Sequence, residues 1–207
     1  MTSEDLKKYD FIVAIDRSGS MANPGSHGKT RWQEAEEATV AVANKCAESD
    51  DDGITVVLFN RAVVMHENVT DGTSQVARIF RESEPMGGTD TALMLKKVLT
   101  NYTANRTRKG VKPIILIVVT DGEPDSQEEV VKAIVEATRV IERDDEIGIS
   151  FLQVGNDRNA TRFLTMLDDD LVSKYGAKFD IVDTKTFDEI ESSGMTIAEV
   201  LIASLTD

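Results

Sequence analysis

Three short stretches hold residues that can do chemistry together. Asp16, Ser18 and Ser20 fall at alternate positions of DRSGSM, directly after the apolar run Phe11 to Ile15. Thr89 follows two glycines in PMGGTDT, and Asp121 lies in TDGEP, directly after the apolar run Ile114 to Val119. A buried strand that gives way abruptly to acids and hydroxyls sets polar oxygens at its end, where backbone and side chains converge on a ligand. Three neutral hydroxyls and two carboxylates form an all-oxygen set. Such a set suits a hard divalent cation, Mg²⁺, Mn²⁺ or Ca²⁺, and does not suit Zn²⁺ or copper. DRSGSM alone reads better as a strand-to-loop turn with solvated hydroxyls, so its weight as a site depends on the distant partners.

Competing chemistries are poorly supplied. Cys46 is the single cysteine, which excludes an internal disulfide and Cys-based zinc binding. It lies on an apolar helical stripe, where it reads as a small buried hydrophobe. The two histidines fall in a turn-rich loop (His27) and an edge strand (His66), which leaves Ser/His/Asp hydrolysis without a base. A phosphate loop needs a lysine after its glycines, and GGTDT has none. Asp50 to Asp52 lack the alternating ligand spacing of an EF-hand and read as a solvated turn, and Asp168 to Asp170 read as a solvated helix end. The enzyme alternative is a metal-dependent phosphohydrolase or phosphoryl-transfer enzyme using Asp16 as nucleophile. Such enzymes place a second Asp two residues later, where this chain has Ser18, and no nearby lysine is evident for the phosphoryl group.

The elements that must position these residues follow from periodicity. Phe11–Ile15, Ile54–Phe59, Ile114–Val119 and Ile147–Val154 are short and apolar, as buried strands are. Ala62–Glu67 is predicted to hairpin onto Ile54–Phe59 as an antiparallel edge strand, and Phe179–Asp183 is the last short strand. Between them run helical stripes. Trp32, Ala35, Thr39, Val42 and Cys46 follow a Thr30/Gln33 capping box, and a short helix spans Ser74 to Arg81. Ala92, Leu95, Leu99 and Tyr102 mark the next, and Val130, Ile134, Ala137 and Ile141 follow a Ser126/Glu129 box. A short helix carries Phe163, Leu164 and Leu167, and two pieces begin at Thr186 and Thr196. Strands alternating with helices predict an α/β, Rossmann-like, doubly wound and mostly parallel sheet of about six strands, with one antiparallel edge strand and helices on both faces. Ligands of such sheets bind beyond the carboxyl ends of the strands, the side that all three motifs can face.

The 207 residues carry no long linker and no internal repeat, so a single domain over 1–207 is expected, with its core at about 9–205. A net charge of −14 disfavours nucleic acid and anionic lipid and favours cation uptake. No apolar stretch approaches the roughly 20 residues of a membrane span, and the polar start MTSEDLKKYD lacks a secretory signal. The expected location is cytoplasmic, or extracellular if the chain is an excised domain. Four Asn-x-Thr triplets, beginning at Asn68, Asn101, Asn105 and Asn159, accordingly read as chance.

DRSGS after a buried strand, GGTDT opening a helix and TDGEP after a second buried strand resemble, in this order, the metal-ion-dependent adhesion site of von Willebrand factor A domains. The strand–helix pattern extends the resemblance from about Tyr9 to Leu205. It implies that Ser18, Ser20 and Thr89 offer hydroxyls to a divalent cation, Mg²⁺ before Mn²⁺ or Ca²⁺, while Asp16 and Asp121 act directly or through bound waters. It further implies a non-enzymatic protein–protein interaction module whose metal shell is completed by a partner's Asp or Glu. The partner could belong to a multi-protein complex with an AAA+ ATPase or to a stress-response system. In the family the last helix can slide as the site rearranges, which makes Ile197 to Leu205 the candidate moving element.

Overall fold

A computed structural model of the chain describes residues 7–25, 28–47, 53–196 and 200. Among the described residues six strands form one sheet: β1 (Asp10–Asp16), β2 (Ile54–Phe59), β3 (Val63–Val69), β4 (Ile114–Thr120), β5 (Ile147–Gln153) and β6 (Val182–Thr186). Their spatial order is β3-β2-β1-β4-β5-β6, parallel throughout except for the antiparallel β2–β3 pair at one edge. β4 is buried at all seven positions, as its unbroken apolar run predicts for a strand covered on both faces.

Among the described residues six α-helices do the covering: α1 (Arg31–Ala47), α2 (Ser74–Arg81), α3 (Thr91–Asn105), α4 (Gln127–Val140), α5 (Arg158–Tyr175) and α6 (Phe187–Ser193). Alternate residues of β4 serve opposite faces. Ile115, Ile117 and Val119 pack with Val42 of α1, Val76 of α2 and Ile190 of α6, whereas Ile114, Leu116 and Val118 pack with Leu95 of α3, Ile134 of α4 and Leu167 of α5. On the first face Trp32 and Phe80 stack at 4.4 Å between ring centroids, joining α1 to α2. Cys46 is fully buried in this layer.

Helix starts mostly follow the expected caps. The Thr30 N–H donates to Gln33 Oε1 (2.8 Å) and the Gln33 N–H to Thr30 Oγ1 (3.2 Å), so this box closes in both directions. Thr186 and Glu189 do the same at α6. At α4 only half forms: the Glu129 N–H donates to Ser126 Oγ, while the Glu129 carboxylate turns to Lys96 on α3.

Two expectations are corrected. Asp168–Asp170 do not end α5, which runs on to Tyr175 and stops where Gly176 adopts φ 75°. Asp168 accepts from the backbone N–H and the hydroxyl of Thr184 on β6, and Asp170 pairs with Lys174 one turn on, so the acids are held mid-helix while Leu167 and Leu171 continue the buried stripe. The last strand starts at Val182 rather than Phe179, because its register with β5 begins at Ile149↔Val182. His27, Asp50–Asp52 and all of the proposed moving segment except Val200 lie outside the described residues.

Candidate functional site

The sheet order reverses at β1, whose neighbours β2 and β4 lie on opposite sides. The β1–β4 register runs to Ile15↔Val119, so Asp16 and Thr120 end adjacent strands at the carboxyl edge. The crevice beyond this reversal is where open α/β sheets take ligands. Three loops build it.

The first begins at Asp16, whose carboxylate is fully buried. Its Oδ1 accepts from the Ser18 N–H at 2.8 Å and its Oδ2 from Thr120 Oγ1 at 2.9 Å. Burial is the main reason its pKa is pushed up to about 6. The Ser18 and Thr120 hydrogen bonds oppose that rise, and the charge of Asp121 adds a little to it. A 3-10 turn over Gly19–Ala22 follows, pinned by the fully buried Met21, and presents Ser18 and Ser20 on one side. Ser18 Oγ and Ser20 Oγ are 3.0 Å apart, and Ser20 Oγ donates to Asp121 Oδ1 at 2.9 Å.

The second loop, 85–90, is tied to the first by backbone bonds from the Met86 N–H to the Arg17 carbonyl (2.7 Å) and from the Gly19 N–H to the Gly87 carbonyl (3.2 Å). Buried Asn60, just after β2, holds this loop from below. Its Nδ2 donates to the Met86 carbonyl and its own carbonyl accepts from the Asp90 N–H. Asp90 then caps α3 by accepting from the Leu93 N–H. The third loop, after β4, grips the second: the Asp125 N–H donates to the Thr89 carbonyl (2.8 Å), and the Thr89 N–H donates to Asp125 Oδ1 (3.1 Å). Gly88 makes room for this clamp, since a Cβ there would come within 2.9 Å of Asp125 Oδ2.

Asp16, Ser18, Ser20 and Asp121 are therefore joined by one string of hydrogen bonds. Thr89 is buried on the neighbouring loop and, among the described residues, makes no side-chain hydrogen bond to the other four. Arg31, the first residue of α1, completes the surroundings: its Nη1 meets Asp121 Oδ2 at 2.5 Å. Among the described residues no cluster of three or more His, Cys, Asp and Glu could hold a metal, so any cation here depends on hydroxyls and water as well as two carboxylates.

The von Willebrand factor type A domain model matches residues 11–123, more than half of the chain, a span that contains all three loops up to Glu123. The chain belongs to this family. Members of this family are generally adhesion and protein–protein interaction modules. No curated relative matches the sequence. Among solved structures, this von Willebrand factor type A domain is similar to the manganese-loaded TRAP protein of Plasmodium vivax, with TM-score 0.60, 13% identity, and 93% of this chain and 74% of that one covered. It is also similar to the conserved hypothetical protein BatB of Bacteroides thetaiotaomicron, with TM-score 0.58, 18% identity, and 95% and 98% covered. The pilus adhesin SpaC of Lactobacillus rhamnosus GG matches at TM-score 0.59 and 15% identity. There 96% of this chain covers only 31% of that one, so this domain spans under a third of SpaC's length. Likeness at these identities establishes the shared fold.

Sequence reasoning passed over Thr120, Asn60, Asp125 and Arg31. Thr120 and Asn60 carried a readable signal, each being the polar residue at the carboxyl end of an apolar run. Asp125 and Arg31 carried none, because their partners lie 36 and 90 residues away.

Proposed function

We propose that this domain is a metal-dependent protein-interaction module. In this reading Ser18, Ser20 and Thr89 offer hydroxyls to a divalent cation, Mg²⁺ in the first place and Mn²⁺ or Ca²⁺ as alternatives, with Asp16 and Asp121 bound directly or through water. The hydrogen-bonded string Ser18–Ser20–Asp121 beside the buried Asp16, at the sheet's reversal point, carries the reading. These groups fit the ion chemically, because hard cations take oxygen donors and neutral hydroxyls leave the ion's charge largely uncompensated. Bound there, the cation supplies a Lewis-acidic position for an Asp or Glu side chain of a partner protein. The manganese-loaded state of the TRAP structure supports a divalent ion in this fold.

Asp16 is a poor phosphoryl nucleophile in this setting, since both its oxygens accept hydrogen bonds inside the protein. We assign the partner to a multi-protein assembly, such as one built with an AAA+ ATPase or stress-response proteins, and the working location to the cytoplasm. A single cysteine, Cys46, which can form no disulfide within the chain, suits a reducing compartment. The test is thermal unfolding with EDTA and with each metal. Mg²⁺ or Mn²⁺ is expected to raise the midpoint in wild type and to leave Asp16→Ala and Asp121→Ala unmoved. Equal midpoints for wild type with and without every metal would remove the site. Affinity capture from native lysate, with wild type and Asp16→Ala side by side and with and without EDTA, then tests the partner.

A further inference from the structure

We propose that Arg31 is a built-in counter-cation of the metal site, one that weakens metal binding in order to keep the loaded site positive toward a partner's carboxylate. The proposal rests on the metal-site reading above and concerns a residue outside the donor set. Three observations place it. Arg31 Nη1 pairs with Asp121 Oδ2, the oxygen that Ser20 leaves open. The pair is largely shielded, with the Arg31 side chain 18% exposed and Asp121 fully buried. The guanidinium also has a dedicated seat: Gly155, at φ +78° just beyond β5, would put a Cβ 2.8 Å from Arg31 Nε and 3.0 Å from Cζ. A side chain at 155 would push the guanidinium off Asp121.

The seat is not built for stability alone. Arg31 Nε is buried with no hydrogen-bond partner among the described residues, and shielded ion pairs rarely offset their own desolvation. Charge counting gives the arrangement a use. The carboxylates of Asp16 and Asp121 neutralise a divalent cation, and a neutral centre has little long-range pull on an acidic partner. With Arg31 in place the loaded centre carries one net positive charge, which a single Asp or Glu of the partner brings to zero. Arg61 and Asp125 both lie against Gly88 and offset one another, whereas Arg31 is the cation paired with a carboxylate of the donor set. Repulsion between the guanidinium and the incoming ion lowers metal affinity by about tenfold even at the screening of bulk water.

The experiment is calorimetric titration of Mn²⁺ into EDTA-stripped wild type, Arg31→Gln and Arg31→Lys. Acetate is then titrated into each Mn²⁺-loaded protein and followed by loss of the water-proton relaxation enhancement. Arg31→Gln is expected to bind Mn²⁺ roughly tenfold more tightly and acetate severalfold more weakly, with Arg31→Lys close to wild type in both. Unchanged or weaker Mn²⁺ affinity in Arg31→Gln, with wild type binding normally, overturns the role of Arg31 alone. Absence of Mn²⁺ binding in wild type overturns the metal-site reading and this one with it. If Arg31→Gln does not fold, the Arg31 Nε–H signal of wild type decides by NMR. It should stay slow to exchange after Mg²⁺ is added, and fast exchange would mean that the ion expels the guanidinium.

Discussion

Replacing Asp16 by asparagine should make the metal-free protein more stable at neutral pH while abolishing its response to metal. The Asp16 carboxylate is fully buried and its pKa is pushed from an ordinary 3.8 to about 6, chiefly by desolvation. A folded-state pKa raised above the unfolded one means that the folded state holds the proton more tightly. Below pH 3.8 both states are protonated and the group costs nothing. Between pH 3.8 and 6 the unfolded state ionises while the folded state still holds the proton, so stability falls by about 3 kcal/mol for a shift of about two units and levels off above pH 6. Asparagine removes that cost and keeps the shape, with its oxygen accepting from the Ser18 N–H and its amide donating to Thr120 Oγ1. The pKa of about 6 already includes the Ser18 and Thr120 hydrogen bonds, but reversing the Thr120 contact leaves that hydroxyl's own proton without its acceptor, which takes back about half and leaves a gain of about 1–2 kcal/mol, or about 3–6 °C in the midpoint. The assay is thermal unfolding in EDTA at pH 7.5 and at pH 4.5. Asp16→Asn should melt above wild type at pH 7.5, and the gap should close at pH 4.5. At pH 7.5 with Mg²⁺ at about a hundred times its dissociation constant, wild type should gain about 2.7 kcal/mol and overtake the variant. An Asp16→Asn protein less stable than wild type in EDTA at pH 7.5 would refute the claim that the buried charge is held against the interest of the fold.

Thr120→Val removes the hydroxyl that donates to Asp16 Oδ2, so in EDTA the acid-side stability transition should move to higher pH, and Mn²⁺ titration should show weaker binding. Asn60→Ala deletes the support under the loop that carries Thr89. It should cost about 1–3 kcal/mol in urea unfolding and weaken Mn²⁺ binding as well; loss of stability with unchanged metal affinity would uncouple that loop from the site. Gly53→Ala serves as a control far from the site. With φ +75° and a Cβ that would meet the Val69 carbonyl at 2.6 Å, it should cost more than about 1 kcal/mol while leaving metal affinity as in wild type.

Strand ends were legible because each motif sits where an apolar run stops, and a parallel sheet delivers those stops to one edge. The β2–β3 hairpin and the α2 boundaries were readable for the same local reasons. What could not be read is pairing across distance. Asp16 and Thr120 are 104 residues apart, and only the β1–β4 register makes them neighbours. Arg31 has no local mark at all, since a basic residue opening a helix is ordinary until Asp121 and Gly155 are seen beside it. The Asp168–Asp170 run misled because acidity suggests solvent, while the hydrogen bonds from Thr184 that hold Asp168 come from a strand that forms later in the chain. β6, with its polar VDTKT, is strand-like only because β5 offers it an edge.

The most direct measurement is an anomalous difference map from crystals of the wild-type protein soaked in Mn²⁺. One strong peak is expected at the carboxyl edge of the sheet, between the hydroxyls of Ser18, Ser20 and Thr89 and beside Asp16 and Asp121. A well-diffracting soaked crystal with no peak there, or with its strongest peak on another face of the molecule, would contradict it.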